Sequence, residues 1–209
     1  VLGAVLKHAN RQGLIPKNPV ELTDRMTLQP GELSSGHNPW TKEEAKTALK
    51  NSVGTEFDLF IHIALYLGLR RGEILGLRWE DFDFARATVD VSRTLKELRT
   101  IDSEGNGSTR LVLDTPKTKS SSRILMLPEP VQESVKRHIY RQAHPATTDI
   151  ANLAGHVFRS HSGGQVHPSN FAKKLQAFIA DCGIRRIRIH DFRHTAASLG
   201  LEAGVRLEA

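Results

Sequence analysis

The sequence lacks the features of several protein classes. Cys182 is the only cysteine among 209 residues, so no internal disulfide can form and a four-cysteine zinc site is excluded. No Gly-x-x-x-x-Gly-Lys phosphate loop occurs, which argues against an ATPase of that class. The most apolar run is interrupted by Asp58 and His62 and is too short to cross a bilayer.

The N-terminus also lacks the basic and apolar regions of a secretory signal, and we expect no signal peptide. What the chain has instead is positive charge, with 29 Lys and Arg residues against 23 acids and a pI of 9.7. This balance favours a polyanionic partner. A net charge of +6 by itself also fits a mildly basic protein with no such partner.

Breaker residues divide the chain. Apolar residues recur at helical spacing from Val1 to Ala9, and Gly13 is typical of a helix end. Because this apolar stripe starts at residue 1, we expect the chain to begin inside a larger protein. The stretch PGELSSG from Pro30 carries the strongest breaker signal. We predict three segments: the end of a helical domain at 1–30, a linker at 31–39 and a second domain at 40–209.

The second domain is predicted to be α+β and mainly helical. Its first helix opens with a capping box, in which Thr41 and Glu44 can each bond the other's backbone N–H. The stretch 88–92 alternates like a strand, and 110–114 and 123–127 are further strand candidates. Together they indicate a small three-stranded antiparallel sheet. Helices are predicted over about 41–51, 56–68 and 71–78, after Pro128, from about Ser169 and from about His190 to Ala203.

A basic cluster accompanies the last predicted helix. His190 and Arg193 lie three residues apart and share one helix face with His194, while Phe192 can anchor the opposite face in the core. Three more arginines lie just upstream: Arg185, Arg186 and Arg188. Alone, this pattern is also typical of a solvated basic surface with a helix-capping histidine.

Lys117 lies in a predicted turn between two strands, near Lys119 and Arg123. A lysine in such a turn can swing into a groove or donate a proton. An ordinary charged hairpin has the same pattern, so the spacing does not decide between the two.

Arg70 and Arg71 interrupt a stretch that otherwise has the composition of a core. An unpartnered guanidinium is costly to remove from water, and Glu73 lies at helical pairing distance from Arg70. We expect an Arg70–Glu73 ion pair, whose role is either structural or chemical.

Together these motifs resemble the tyrosine recombinase, or phage integrase, family. The matching segments are GLRRGEILGLRWED from Gly68, PKTKS from Pro116 and HDFRHTAA from His190. Their order and spacing fit along nearly the whole chain from about residue 40. Residues 1–30 resemble the end of the family's core-binding helical domain.

The resemblance implies a site-specific DNA recombinase, or integrase, that needs no metal, ATP or other cofactor. In this family a tyrosine attacks a backbone phosphate, leaves a 3′-phosphotyrosyl link, and a 5′-hydroxyl reverses the reaction. Four positions match the catalytic residues: Arg70, Lys117, His190 and Arg193. Glu73 and His194 match supporting positions. Six cations are expected to contact DNA: Arg71, Lys119, Arg123, Arg185, Arg186 and Arg188.

The residue types suit this chemistry. Guanidiniums of Arg70 and Arg193 can hold the non-bridging oxygens of a phosphodiester and stabilise its transition state. Lys117 can protonate the leaving 5′-oxygen, and His190 can take the proton of the tyrosine or hold the phosphate. The implied partner is double-stranded DNA at attachment sites, bound by a homotetramer of chains that are monomers when free. The implied location is the bacterial cytoplasm, in association with the nucleoid, and the gene is expected to be bacterial or phage-encoded.

The family's Leu-Gly-His segment and its tyrosine are expected about 20 and about 30 residues after Arg193, beyond Ala209. Tyr66 and Tyr140 are the only tyrosines, and we predict that both are packing residues. The 209-residue fragment is therefore expected to bind DNA without cleaving it.

Several alternatives stay open. His156, His161 and His167 lie in one loop region, where a solvated loop is favoured over a metal site. A type IB topoisomerase shares the chemistry but fits the compact spacing less well. Two other functions are a DNA-binding protein of the same fold that has lost catalysis and a general polyanion or RNA binder.

Overall fold

The computed structural model describes residues 2–22, 38–101, 105, 107–114, 122–142, 155–160 and 163–204. The chain divides into two compact units, Val1–His37 and Asn38–Ala209. The boundaries predicted near residues 30 and 39 stay predictions, since residues 23–37 lie outside the described ranges.

The first unit contains helix α1, Leu2–Arg11, and a 3-10 turn at Pro19–Leu22. Gly13 follows α1 with a φ of 71°, the left-handed conformation that commonly ends a helix, as predicted. Asn10 Nδ2 donates to the carbonyl of Ile15 at 3.0 Å and fixes the chain after the helix.

The second unit is a mixed α and β structure. Its helices are α2 (Lys42–Ser52), α3 (Asp58–Tyr66), α4 (Arg71–Leu75), α5 (Glu129–Gln142), α6 (Pro168–Asp181) and α7 (Asp191–Glu202). Its strands are β1 (Phe82–Asp83), β2 (Thr88–Val91), β3 (Thr94–Ile101), β4 (Gly107–Asp114) and β5 (Arg123–Met126). The α+β class is confirmed, as is the capping box: Thr41 Oγ1 accepts from Glu44 N, and Glu44 Oε2 from Thr41 N.

Helix α3 lies at the centre of the core. Its residues 58–65 are buried, as expected for a helix that is apolar on every side. The Phe60 ring packs against Phe158, Phe171 and Phe192, with centroid distances of 6.2, 4.7 and 6.2 Å. These contacts join α3 to α6 and α7.

Asp58 starts α3 inside this core, with 2% of the residue exposed. Its carboxylate accepts from Arg137 Nε at 2.6 Å and from the backbone N–H of Gly54 at 2.9 Å, and lies 3.0 Å from His62 Nδ1. Burial alone acts to raise the pKa of Asp58, but hydrogen bonds from His62 and Arg137 hold that pKa well below its usual range. The charged carboxylate therefore ties α5 to α3.

A small three-stranded antiparallel sheet is present, as predicted, but its members differ from the prediction. Its order is β1-β2-β5. The predicted strand at 110–114 instead belongs to β4, which pairs with β3 in a separate two-stranded ladder from Thr94↔Asp114 to Ile101↔Gly107. The backbone of β4 is hydrogen-bonded to β3, a long strand that is close to it along the chain. Strand β5 therefore pairs with β2.

Helix α4 packs directly on the backbone of β3. A Cβ added at Gly72 would lie 2.7 Å from the Leu95 carbonyl oxygen, and one at Gly76 would lie 3.1 Å from the Leu95 nitrogen. The helix ends at Leu75, earlier than the predicted residue 78, with Gly76 as its C-cap, and Arg78 N donates to Asp81 Oδ2 at 2.8 Å to start a separate turn.

Gly72→Ala is expected to lower the free energy of unfolding by about 1–3 kcal/mol, since the added methyl group overpacks the α4–β3 contact. Urea denaturation followed by circular dichroism measures this. Gly164→Ala is the control, because a Cβ there meets nothing closer than 3.6 Å. Equal stability of the two variants would contradict the close packing of α4 on β3.

Asp58→Asn is expected to lower the free energy of unfolding by about 2 kcal/mol at neutral pH, where hydrogen bonds to a charged group are lost. Because the pKa of Asp58 is lowered in the folded state, its contribution is complete above about pH 4 and is lost as the pH falls below that value. Urea titrations from about pH 3 to pH 7 should show the two proteins converging at low pH. Asp83→Asn is the control, because the Asp83 side chain at the end of β1 is 44% exposed.

Candidate functional site

The turn between α3 and α4 sets the position of Arg70. Gly68 has a φ of 60°, a conformation that favours glycine, and Arg70 becomes the N-cap residue of α4. Glu73, one turn on, accepts from Arg70 N at its Oε2 (2.9 Å) and from Arg70 Nη1 at its Oε1 (3.1 Å). The expected Arg70–Glu73 ion pair is therefore present.

A second guanidinium binds the same carboxylate. Arg123, the first residue of β5, donates from Nη2 to Glu73 Oε2 at 3.0 Å and from Nη1 to Oε1 at 3.4 Å. Burial acts to raise the pKa of Glu73, but hydrogen bonds from Arg123 and Arg70, with the charge of Arg123, lower it below its usual value. Glu73 is thus a charged carboxylate between two arginines.

Helix α7 contributes the second half of the site. Arg193 Nη1 donates to the carbonyl of Gly68 at 2.8 Å, two residues before Arg70. His190 precedes the first turn of α7 and is exposed, and its ring centroid lies 5.3 Å from that of His194. The structure therefore brings the HDFRH segment to the turn that holds Arg70.

Two contacts with Trp40 fix α7 in place. Phe192 is 1% exposed, and its ring meets that of Trp40 at 4.8 Å in an edge-to-face contact. The backbone N–H of Trp40 donates to Thr195 Oγ1 at 3.0 Å. Side chains that project from α7 consequently stand on a rigid support.

A groove of 1240 Å³ runs between α4, β3, α6 and the segment 186–190. Five of the predicted site residues line it: Arg70, Arg71, Arg186, Arg188 and His190. Lys96 on β3 and Lys173 on α6 line it too and were not singled out from the sequence, although Lys173 lies away from the apolar stripe of α6. Among the described residues, the lining carries six Lys and Arg side chains and one carboxylate, Glu97.

Arg185 lies elsewhere. Its guanidinium donates to the carbonyls of Asn38 and Pro39 at 3.0 and 2.8 Å, and to both oxygens of Glu44 at 3.1 Å. These contacts use Arg185 inside the fold, and the geometry does not support its predicted DNA contact. The next residue, Arg186, is exposed.

Lys117 and Lys119 lie in the segment 115–121, which is outside the described residues. The strands that flank this segment, β4 and β5, belong to different sheets and do not pair with each other as the predicted hairpin requires.

The prediction that both tyrosines are packing residues is wrong for Tyr140, which is 78% exposed on α5. Tyr66 is 45% exposed and stacks on His62 at 6.1 Å. Neither ring lines the groove.

Of the three histidines predicted to lie in one loop region, His156 and His167 lie outside the helices and strands. His167 Nδ1 lies 2.8 Å from Glu97 Oε1, and burial lowers the pKa of His156, while His161 is outside the described residues. Within the described ranges, no three side chains of His, Cys, Asp or Glu come together to hold a metal ion. In the same part of the chain, no helix is long and apolar enough to cross a membrane.

Comparison with known proteins gives a consistent picture. A model of the phage integrase family matches residues 41–209. A XerC-like tyrosine recombinase of Caldanaerobacter subterraneus subsp. tengcongensis is 28% identical over 99% of this chain and 55% of its own length. The ICEBs1 integrase of Bacillus subtilis is 26% identical over 97% of this chain and 52% of its own. The chain thus spans about half the length of these curated relatives.

Solved structures share the fold. The Tn1549 transposon integrase in complex with a circular intermediate DNA superposes with a TM-score of 0.69 and 22% identity, over 98% of this chain and 65% of that one. The XerA recombinase superposes with a TM-score of 0.61 and 18% identity, over 88% and 57%.

Arg185→Gln is expected to lower the free energy of unfolding by about 1–3 kcal/mol, because charge-assisted hydrogen bonds to Glu44 and to two carbonyls are lost. Urea denaturation is the measurement. Arg186→Gln, one residue away on the groove, is the matched control and should leave stability unchanged. If both variants lose the same stability, the different placement of these neighbours is wrong.

Proposed function

Because the chain belongs to the phage integrase family of tyrosine recombinases, we propose that it is the phosphate-binding part of a site-specific DNA recombinase. One observation carries the proposal. Arg70, oriented by a buried carboxylate, lines a cationic groove with His190, and Arg193 is bound to the carbonyl two residues before Arg70.

Arg70 and Arg193 would bind the non-bridging oxygens of the scissile phosphate. The Arg70 side chain is 59% exposed, and Glu73 occupies its Nη1, so N–H groups remain to face the groove. Both guanidiniums are held by fold contacts before substrate arrives. Donors arranged in advance stabilise the extra negative charge of a phosphoryl-transfer transition state without reorganisation.

In this proposal the tyrosine oxygen forms a bond to phosphorus as the bond to the 5′-oxygen breaks, and that oxygen leaves with a proton. His190 takes the tyrosine proton or holds the phosphate, with His194 in ring contact behind it. Lys117 is the proposed proton donor to the 5′-oxygen. The later attack by a 5′-hydroxyl reverses each step.

The tyrosine would come from outside these 209 residues, since neither Tyr66 nor Tyr140 lines the groove. We propose that the 209-residue chain binds duplex DNA and does not cleave it. Arg71, Lys96, Lys173, Arg186 and Arg188 are the proposed phosphate contacts. Four copies of the full recombinase would assemble on the two DNA sites that recombine.

Arg193→Ala in the full open reading frame that contains these residues is expected to reduce covalent protein–DNA complex by at least about 10²-fold, because a transition-state donor is lost. The measurement is gel detection of the complex on a nicked attachment-site duplex. Duplex binding should change little, since many other cations contribute to it.

Arg186→Ala is the matched comparison. It should decrease the slope of log affinity against log salt by about 0.9 for the lost phosphate contact and leave cleavage at saturating DNA unchanged. Full cleavage by Arg193→Ala would refute the site assignment. Duplex binding by the wild type without any covalent complex would favour a DNA-binding protein that has lost catalysis, and equal binding to RNA would favour a general polyanion binder.

A further inference from the structure

We propose that Arg123 is a positioning residue, which holds the Glu73 carboxylate that in turn orients Arg70, and that it does not contact DNA. The inference rests on the proposed function for its consequence in strand cleavage. Its structural basis is independent of that function.

The geometry is a carboxylate that accepts four donors. Each Glu73 oxygen receives one hydrogen bond from Arg70 and one from Arg123. Both Nη atoms of Arg123 are used, in the paired arrangement that a guanidinium offers and an ammonium does not. Arg123 therefore fixes the rotation of the carboxylate as well as its position.

Exposure distinguishes the two arginines. The Arg70 side chain is 59% exposed and lines the groove, whereas the Arg123 side chain is 32% exposed and does not line it. Glu73, at 7% exposure, stands between them. Arg70 is thus the guanidinium presented outward, and Arg123 supports it from behind the carboxylate.

The charges of the three side chains explain why Glu73 has two arginine partners. With Arg70 alone, Glu73 would be neutralised by a side chain that also has to bind a phosphate. The guanidinium of Arg123 still neutralises the Glu73 carboxylate when a DNA phosphate binds Arg70. The cluster of Arg70, Glu73 and Arg123 then has a net charge of +1. Like charges would repel if Glu73 were protonated or replaced.

The fold makes Arg123 a rigid support. It opens β5 and lies opposite Val91 in the β2–β5 register. Val91 is buried in the core, and Leu125, two residues on, packs against it. The support therefore comes from a strand of the core and not from a surface loop.

The test is a double-mutant cycle of Arg123→Gln and Glu73→Gln in the full-length protein, read as the cleavage rate at saturating DNA. Arg123→Gln should lower the rate by about 10²-fold, as expected for misplacement of a catalytic group. Arg123→Lys should recover part of this loss. In the Glu73→Gln background, Arg123→Gln should change the rate by less than about twofold, because its effect passes through Glu73.

The salt dependence of duplex binding separates positioning from direct contact. Arg123→Gln should leave the slope unchanged, whereas loss of a phosphate contact would lower it by about 0.9. The proposal would be overturned if Arg123→Gln lowered the salt slope and if the effects of Arg123→Gln and Glu73→Gln on the cleavage rate multiplied in the double mutant.

Arginine side-chain NMR of the 209-residue chain gives a readout that needs no activity. Arg123→Gln should speed the rotation of the Arg70 guanidinium, so that its separate Nη signals merge. Unchanged Arg70 signals would overturn the inference. Failure of the wild-type protein to form a covalent complex would refute only the proposed function. Arg123→Lys provides the same readout if the glutamine variant does not fold.

Arg93→Gln is the control for a general loss of structure. Arg93 pairs with Asp81 and with Glu80, away from the groove. This variant should lose stability yet leave the Arg70 signals and the cleavage rate unchanged.

Discussion

Removing a carboxylate from water is unfavourable unless donors surround it, and in this chain the constraint falls on Glu73. The side chain is 7% exposed and accepts hydrogen bonds from the backbone and guanidinium of Arg70 and from the guanidinium of Arg123. Burying this one group commits two arginines from different elements to defined positions. Arg70 can therefore be exposed and still be fixed in place.

Close packing and hydrogen bonds hold the other elements of the site in place. Gly72 lets α4 lie on the backbone of β3, so that Arg70 and Lys96 face the same space. Trp40 fixes α7, from which Arg193 reaches the Gly68 carbonyl. Cationic side chains repel one another, and their concentration in one groove is stable because the supporting contacts are made by the core.

Local signals in the sequence predict the helices well. The Thr41–Glu44 capping box and the glycine stop at Gly13 depend only on neighbours along the chain. Strand pairing depends on distant segments, so the members of the sheet could not be assigned from alternation alone. Motif matching selected Arg70 and His190, which do line the groove.

What motif matching cannot do is separate neighbours whose roles differ by their contacts. Arg185 and Arg186 are equivalent in sequence, yet one is bound to Glu44 and the other lines the groove. The partner of Arg123 lies 50 residues away, beyond any local signal. Lys96 was missed because the strand that carries it was not predicted.

The groove draws its walls from residues near 70, 95, 173 and 188, so it depends on contacts that span more than half of the chain. During synthesis, a chain that has emerged as far as β5 already carries Arg70 and Arg123 but lacks α6 and the segment 186–190, which complete the groove. Non-local contacts form late in folding. The cationic groove is therefore complete only after α6 and the segment 186–190 have been synthesised, and a shorter nascent chain does not present its assembled positive surface.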